Sequence, residues 1–285
     1  LLWAAYIVNV GIIIYAFLQF FGVLNINQGG VRVDATFGNA IYLGVYALFH
    51  VFFALYGAYR AYRSSGRRFL IYSCITLALL NVALVALSAT RGAILGLFVG
   101  LIAGSLFLFF ANVSSRARRA GAVGFLIALI SVGGFFAARE SSFLRSHPVF
   151  GRVLSASLTS DDTQARFVIW GISLKGFTER PLFGWGQEGY NFVFNKHYNP
   201  ALYDREQWFD RAHNAYLDWL IAAGIFGLAG YLALWFFAAR AVLWGKNRRG
   251  DALFVPLERA LFAGFGAAYA VNNLFVFDNG VSHFL

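Results

Sequence analysis

Seven stretches of this chain are apolar, almost free of charge and long enough to cross a bilayer, and that feature constrains its fold more than any other. They run from Leu1 to Leu24, Phe37 to Tyr59, Phe69 to Leu87, Ala93 to Ala111, Gly121 to Ala138, Ala215 to Ala239 and Leu257 to Phe277. A hydrocarbon core of about 30 Å is spanned by about 20 helical residues, whereas the strands of a membrane barrel are about ten residues long and alternate in polarity. These runs are long and do not alternate, so they predict helices. Composition agrees: hydrophobic residues are 59% of the 285 positions and charged residues 13%, a balance foreign to a water-soluble domain of this size. The reading is an all-α, polytopic membrane protein of about seven transmembrane helices, one membrane-embedded domain over 1–285.

The first run has no basic leader and no small-residue cleavage site, so it is read as a span and not as a signal peptide. A chain that starts at Leu1 and contains no methionine is read as an internal piece of a longer protein. Its single cysteine, Cys74, lies inside an apolar run, which excludes an internal disulfide and a cysteine-based metal site.

The net charge of +10 could point to nucleic acid, but the positions of the charges give a topology signal instead. Twelve basic residues sit in three short loops: Arg60, Arg63, Arg67 and Arg68; Arg116, Arg118 and Arg119; and Arg240, Lys246, Arg248, Arg249 and Arg259. Only Asp251 and Glu258 offset them. Loops of this kind stay in the cytoplasm, so the loops Asn25–Thr36, Ser88–Gly92 and Arg139–Ala212 are expected on the opposite face.

The long loop, 139–212, carries nine Lys or Arg against eight Asp or Glu and is rich in aromatic residues, which disordered segments lack. Asp161 with Gln164 reads as a capping box for a helix to about Thr178. Phe167, Trp170, Leu174 and Phe177 recur on it at spacings of three and four, predicting an amphipathic helix along the membrane surface. Pro181 ends it, and Gly184 and Gly186 supply a turn.

With that topology Arg32, Arg91, Arg166, Arg211 and His213 all fall on the outer side, next to span ends, where one site would gather them. An arginine in the tight Ser88–Gly92 turn is costly unless an anion pairs with it, although snorkelling to lipid phosphates is the alternative. His213 opens the sixth run, where a helix N-terminus and Arg211 would disfavour its charged form and leave a neutral ring to act as a base. The alternative for His213 is an interfacial histidine bonded to water. At about 100° per residue, Tyr216, Leu217, Gly224 and Gly227 would share its face, the glycines admitting another helix or a lipid chain. Asp218 would point away and interact with the helix dipole. His50 reads as a helix-packing hydrogen-bonder, His147 and His283 as unremarkable, and His197 as a sugar contact. Asn272, Asn273 and Asp278 read as helix glue or acceptor contacts.

At this point the residues resemble a known family, the O-antigen ligase and polymerase superfamily of bacterial membrane glycosyltransferases. His213-Asn214 followed by Gly224-x-x-Gly227 is similar to its signature, with Leu228 where ligases often have threonine. Thr90-Arg91-Gly92 is similar to its arginine turn. Arg166-x-x-x-Trp170 with Pro181 to Gly186, and Arg32 ahead of Thr36-Phe37-Gly38-Asn39, resemble its outer-loop motifs.

The resemblance implies an enzyme of the bacterial cytoplasmic membrane, working on its extracytoplasmic side. Its donor would be a glycan on polyprenyl pyrophosphate, and its acceptor a lipid A core, another glycan or a protein hydroxyl. Transfer would proceed with inversion and without metal, nucleotide or other cofactor. Arg91 and Arg166 would stabilise the pyrophosphate leaving group, and His213 would be the general base. Arg32, Arg211, Trp170, Tyr216, Gly224 and Gly227 would contact substrate. Membrane lipids are partners on this reading and nucleic acid is not. Ligase, polymerase and protein oligosaccharyltransferase stay open, because the same donor-site residues serve all three. A transporter of lipid-linked sugar is the rival from another class, but internal repeats, and interrupted helices with polar groups near mid-bilayer, which transporters tend to show, are not evident in the sequence.

Overall fold

The computed structural model describes residues 2–64, 66–111, 113–146, 151, 154, 161–205 and 207–277. Each of the seven apolar runs is a helix: α1 (Leu2–Phe20), α2 (Ala40–Ser64), α3 (Arg68–Leu87), α4 (Arg91–Phe110), α5 (Ser115–Ala138), α9 (Ala215–Trp244) and α10 (Pro256–Asn272). Between α5 and α9 lie α6 (Ser142–Ser146), α7 (Asp161–Glu179), α8 (Tyr190–Lys196) and a 3₁₀ turn, Pro200–Leu202. Among the described residues α2, α3, α4, α5 and α9 are long and apolar enough to cross a membrane, while α1 is apolar over the shorter Ala4–Phe20. At 17 residues, α10 is about 25 Å long, just under the hydrocarbon thickness. The protein is therefore an all-α, multi-pass membrane protein with at least five span-length helices.

The described residues fall into two compact units, within Leu1–Ser155 and Val242–Asn272 for the first, and Ala156–Ala241 and Asn273–Asp278 for the second. In the first, α4 and α10 meet along a seam of small residues. A Cβ on Gly96 would stand 2.5 Å from the Ala268 carbonyl, and one on Gly100 would stand 2.6 Å from that of Gly264. Lipid offers no hydrophobic drive between helices, so small residues that let backbones approach supply the packing. A reciprocal amide pair ties α1 to α3: Asn9 Nδ2 donates to Asn81 Oδ1 at 3.0 Å, and Asn81 Nδ2 to Asn9 Oδ1 at 2.8 Å. By contrast α5 leaves Leu126, Ile127, Leu129 and Ile130 exposed, as a helix facing lipid should. The link from α1 to α2 is fixed by Gln19, whose Nε2 donates to buried Asp34 at 2.8 Å and whose Oε1 accepts from Ala35 N–H at 2.7 Å.

The second unit has its own core, in which Ala165, Ile169 and Ile172 of α7 pack with Tyr190, Val193, Phe194, Leu202, Phe209, Ala212 and Ile221. The stripe expected along the membrane surface stays largely outside this core: Phe167 and Leu174 are exposed, and Trp170 and Phe177 lie at the edge of the core. Spacing alone could not separate the two faces, because both carry apolar residues at helical intervals. The Asp161 side chain of the expected capping box lies outside the described residues, although α7 does begin at Asp161.

Candidate functional site

His213 sits two residues before α9 in a left-handed conformation, φ +49°. It does not belong to the helix, so the helical face predicted for it does not exist. Asn214 forms the N-cap instead, its Oδ1 accepting from Tyr216 N–H at 3.0 Å and Leu217 N–H at 3.1 Å. Asp218, expected to serve only the helix dipole, accepts from Ala212 N–H at 2.8 Å and so ties the chain just before His213 to the first turn of α9. From α7, Trp170 Nε1 donates to the Ala212 carbonyl at 3.1 Å. Left-handed backbone at a non-glycine residue is uncommon and persists where its surroundings hold it. Here the contacts to Ala212 and Asn214 do that.

Arg166, one turn before Trp170 on α7, donates through Nη1 to the carbonyl of His213 at 3.4 Å and to that of Phe275. The imidazole of His213 stacks on Phe277, with ring centroids 5.4 Å apart and planes at 21°. Phe209 meets it edge-on at 5.5 Å and 80°. Burial among these rings, and then the Arg166 charge, lower the His213 pKa from its ordinary 6.5 to about 4. The causes differ from those expected, with burial first and Arg166 second where the helix N-terminus and Arg211 were expected to act. Arg211 instead pairs with Glu188 and lies over the ring of Phe277, 5.8 Å from its centroid.

The two glycine motifs interlock. At Gly224 the α9 backbone leaves helical geometry, with φ 64° and ψ −158°. Into that break docks the turn after α7: Trp185 N–H donates to Ile221 O at 2.7 Å, Gly186 N–H to Ala222 O at 2.9 Å, and Ile225 N–H to Pro181 O at 2.8 Å. A Cβ on Gly224 would lie 2.3 Å from the Leu182 carbonyl, so only glycine fits. The turn thus occupies the surface at Gly224 that was expected to meet a helix or lipid chain, and a Cβ on Gly227 would meet Ala223 of α9 itself. Tyr216 rests against Tyr231 at 5.8 Å.

In the first unit, Arg32 folds onto the turn between α3 and α4, its Nε donating to Ser88 O at 3.0 Å and its Nη2 to Thr90 Oγ1 at 3.1 Å. Arg91, the first residue of α4, follows directly, so these two arginines share one turn. The structure therefore groups the predicted residues as Arg32 with the Arg91 turn, and as Arg166, Trp170, Arg211 and His213. Elsewhere, His50 bonds within its own helix, Nδ1 to Tyr46 O at 2.9 Å, and not to a neighbour as expected. His197 meets Glu179 at 2.7 Å, and Lys196, at 2.5 Å from the same carboxylate, holds it below the usual carboxylate range. Asn273 donates to Tyr231 Oη at 2.9 Å, a polar tie of the kind expected. Asp278, His147 and His283 lie outside the described residues. Sequence reasoning missed Phe209, Phe275 and Phe277, because a ring stack and a carbonyl acceptor leave no spacing signature. Among the described residues, no three His, Cys, Asp or Glu side chains gather as they would to hold a metal ion.

Residues 75–232, more than half of the chain, match the family model described as O-antigen ligase. The match includes Arg91, Arg166, Trp170, Arg211, His213, Tyr216, Gly224 and Gly227, while Arg32 and Asn273–Phe277 lie outside it. A comparison with curated proteins returned no match.

Proposed function

This chain belongs to the O-antigen ligase family, and from that premise we propose that it moves a glycan from polyprenyl pyrophosphate to an acceptor hydroxyl on the extracytoplasmic side of the bacterial cytoplasmic membrane. The observation that supports the reading is an imidazole at His213 enclosed by the rings of Phe209 and Phe277, with the Arg166 guanidinium bonded to the carbonyl of the same residue. In the proposed step the His213 ring takes the proton of the acceptor hydroxyl, whose oxygen attacks the anomeric carbon from the face opposite the leaving group. The bond from that carbon to the pyrophosphate oxygen breaks, the sugar inverts, and polyprenyl pyrophosphate departs. A sugar hydroxyl is a weak nucleophile, and a positioned base contributes about 10² to 10⁴ in rate.

Charge that builds on the leaving pyrophosphate needs fixed positive groups in a poorly hydrated setting, and guanidinium supplies them without a divalent ion. Arg166 takes that part. Arg91 is assigned the same part on the family resemblance, with Arg32 as a further phosphate contact and Arg211, Trp170, Tyr216, Gly224 and Gly227 as substrate contacts. The acceptor separates a ligase from a polymerase or a protein oligosaccharyltransferase, and the donor chemistry is common to all three.

The test is to incubate purified protein with a lipid-linked oligosaccharide and, separately, lipid A core oligosaccharide, a second lipid-linked glycan and a hydroxyl-bearing peptide, and to identify products by mass. Transfer to one of them by the wild type, with none by His213→Ala although that variant still binds donor, is the expected result. Normal turnover by His213→Ala rejects the base, and movement of donor across a vesicle without transfer favours a transporter.

A further inference from the structure

The short segment that follows α10, outside the family match, grips the site from an unexpected side. Four consecutive backbone carbonyls reach residues around His213. Asn273 O and Val276 O each accept from Ala215 N–H at 2.9 Å, Leu274 O accepts from Asn214 Nδ2 at 3.2 Å, and Phe275 O accepts from Arg166 Nη1. The next residue lays its ring flat on the imidazole, and Arg211 covers the same ring at 5.8 Å. A helix N-terminus leaves N–H groups without intrahelical partners, and here another segment's carbonyls satisfy one of them.

We infer that Asn273–Phe277 is a wall of the transfer site, with Phe277 as the residue that positions the His213 ring and keeps water from its face, braced from behind by the Arg211–Glu188 pair. The inference rests on the proposed base role of His213 for its catalytic meaning, but its geometry is independent of that role. A general base must present one ring nitrogen to a hydroxyl, and an imidazole on a loop has two free torsions that would blur its aim. A parallel ring on one face and an edge-on ring at the side remove that freedom. They also withdraw the imidazole from water, which favours its neutral form. Charged groups near the ring among the described residues include Arg166 from α7, Arg211 from the preceding loop with its partner Glu188, and Asp218 from α9, bonded to Ala212 N–H.

The experiment is a histidine-labelled NMR titration of the purified, detergent-solubilised protein, with the His213 signal assigned by its loss in His213→Gln. In Phe277→Ala the midpoint is expected to rise by roughly one pH unit or more as water reaches the ring, and Phe277→Tyr, which keeps the flat ring, should titrate as wild type. The acid limb of kcat/KM for transfer should move with the midpoint. An unchanged midpoint in Phe277→Ala overturns the inference. Should that variant fail to fold, Phe277→Val keeps an apolar side chain but leaves part of the ring's volume open to water, and must still titrate higher than wild type. The titration is read without substrate, so it separates the two readings: failure of the base role would show as normal turnover in His213→Gln.

Discussion

Arg166 directs Nη1 at the backbone carbonyl of His213 from 3.4 Å, so the cation proposed for the leaving group also stands fixed beside the proposed base. That carbonyl accepts from the guanidinium, and the ring beyond it lies against Phe277. Burial and the cation act on the imidazole in the same direction, both against its protonation.

Stability should therefore depend on pH in a defined window. The His213 pKa is about 4 in the folded protein against 6.5 for an unperturbed histidine. A depressed histidine leaves the unfolded chain holding more protons between those values, so its contribution is intact above pH 6.5 and is lost as pH falls toward 4. The loss amounts to up to about 3 kcal/mol. Thermal unfolding in detergent at pH 7 and pH 4.5 should show a smaller acid-side drop for His213→Gln than for wild type. Equal drops would mean that the imidazole is protonated in the fold.

Removing the cation should slow chemistry more than binding. Arg166→Ala is expected to lower single-turnover transfer by about 10² to 10³, the usual loss when one preorganised charge-stabilising group is deleted. Arg166→Lys should recover only part of that, since an ammonium does not reproduce the bidentate contact a guanidinium makes with a phosphate. Arg91→Ala should give a loss of similar size, with Lys again a partial substitute. Full activity in both alanine variants would remove the leaving-group role from these arginines.

How far the sequence disclosed this arrangement follows from what kind of signal each part leaves. The helices from α1 to α5, and α9 and α10, were legible because a bilayer demands long apolar runs, and helix α7 was legible because its first residue and its end at Pro181 carry local signals. The pairing of Arg166 with His213 was legible as a shared side of the membrane and no more. The helical wheel failed because it assumed regular backbone from His213 to Gly227, whereas His213 has positive φ and Gly224 interrupts α9. Gly184 read as part of a turn and Gly224 as a place of close approach, yet their partnership with each other could not be read without the fold. Phe277 was invisible for a simpler reason: it closes an apolar run and looks like any other residue of a span.

The interlock at Gly224 predicts a sharp contrast between two glycines. Gly224→Ala must force a Cβ to within 2.3 Å of the Leu182 carbonyl at φ 64°, which should cost on the order of 2 to 4 kcal/mol and loosen the turn that holds Trp185. On α7, Gly171 is exposed and a Cβ there meets nothing within 4 Å, so Gly171→Ala should be neutral or stabilise by about 0.5 to 1 kcal/mol. Unfolding midpoints of the two variants in detergent provide the comparison. If Gly224→Ala is as stable as wild type, the backbone bonds from Trp185 and Gly186 do not constrain α9.

The amide pair between α1 and α3 offers a test that does not involve the site at all. Asn9 and Asn81 are both buried, and each satisfies the other through two bonds. Replacing one, as in Asn9→Leu, strands a polar side chain among apolar helices, while Asn81 Nδ2 keeps only its bond to Leu77 O at 2.8 Å. Replacing both removes the unmet need along with the bonds. Coupling across membrane helices is modest, about 0.6 kcal/mol on average and up to about 2 kcal/mol in strong cases. A double-mutant cycle of Asn9→Leu and Asn81→Leu should therefore show the double variant more stable than the sum of the singles predicts, by an amount in that range. Strict additivity would indicate that the amide pair adds nothing to the hold of α1 on α3, leaving packing and the separate tie of α1 to α2, where the Tyr6 hydroxyl donates to Phe53 O at 2.8 Å, to fix α1.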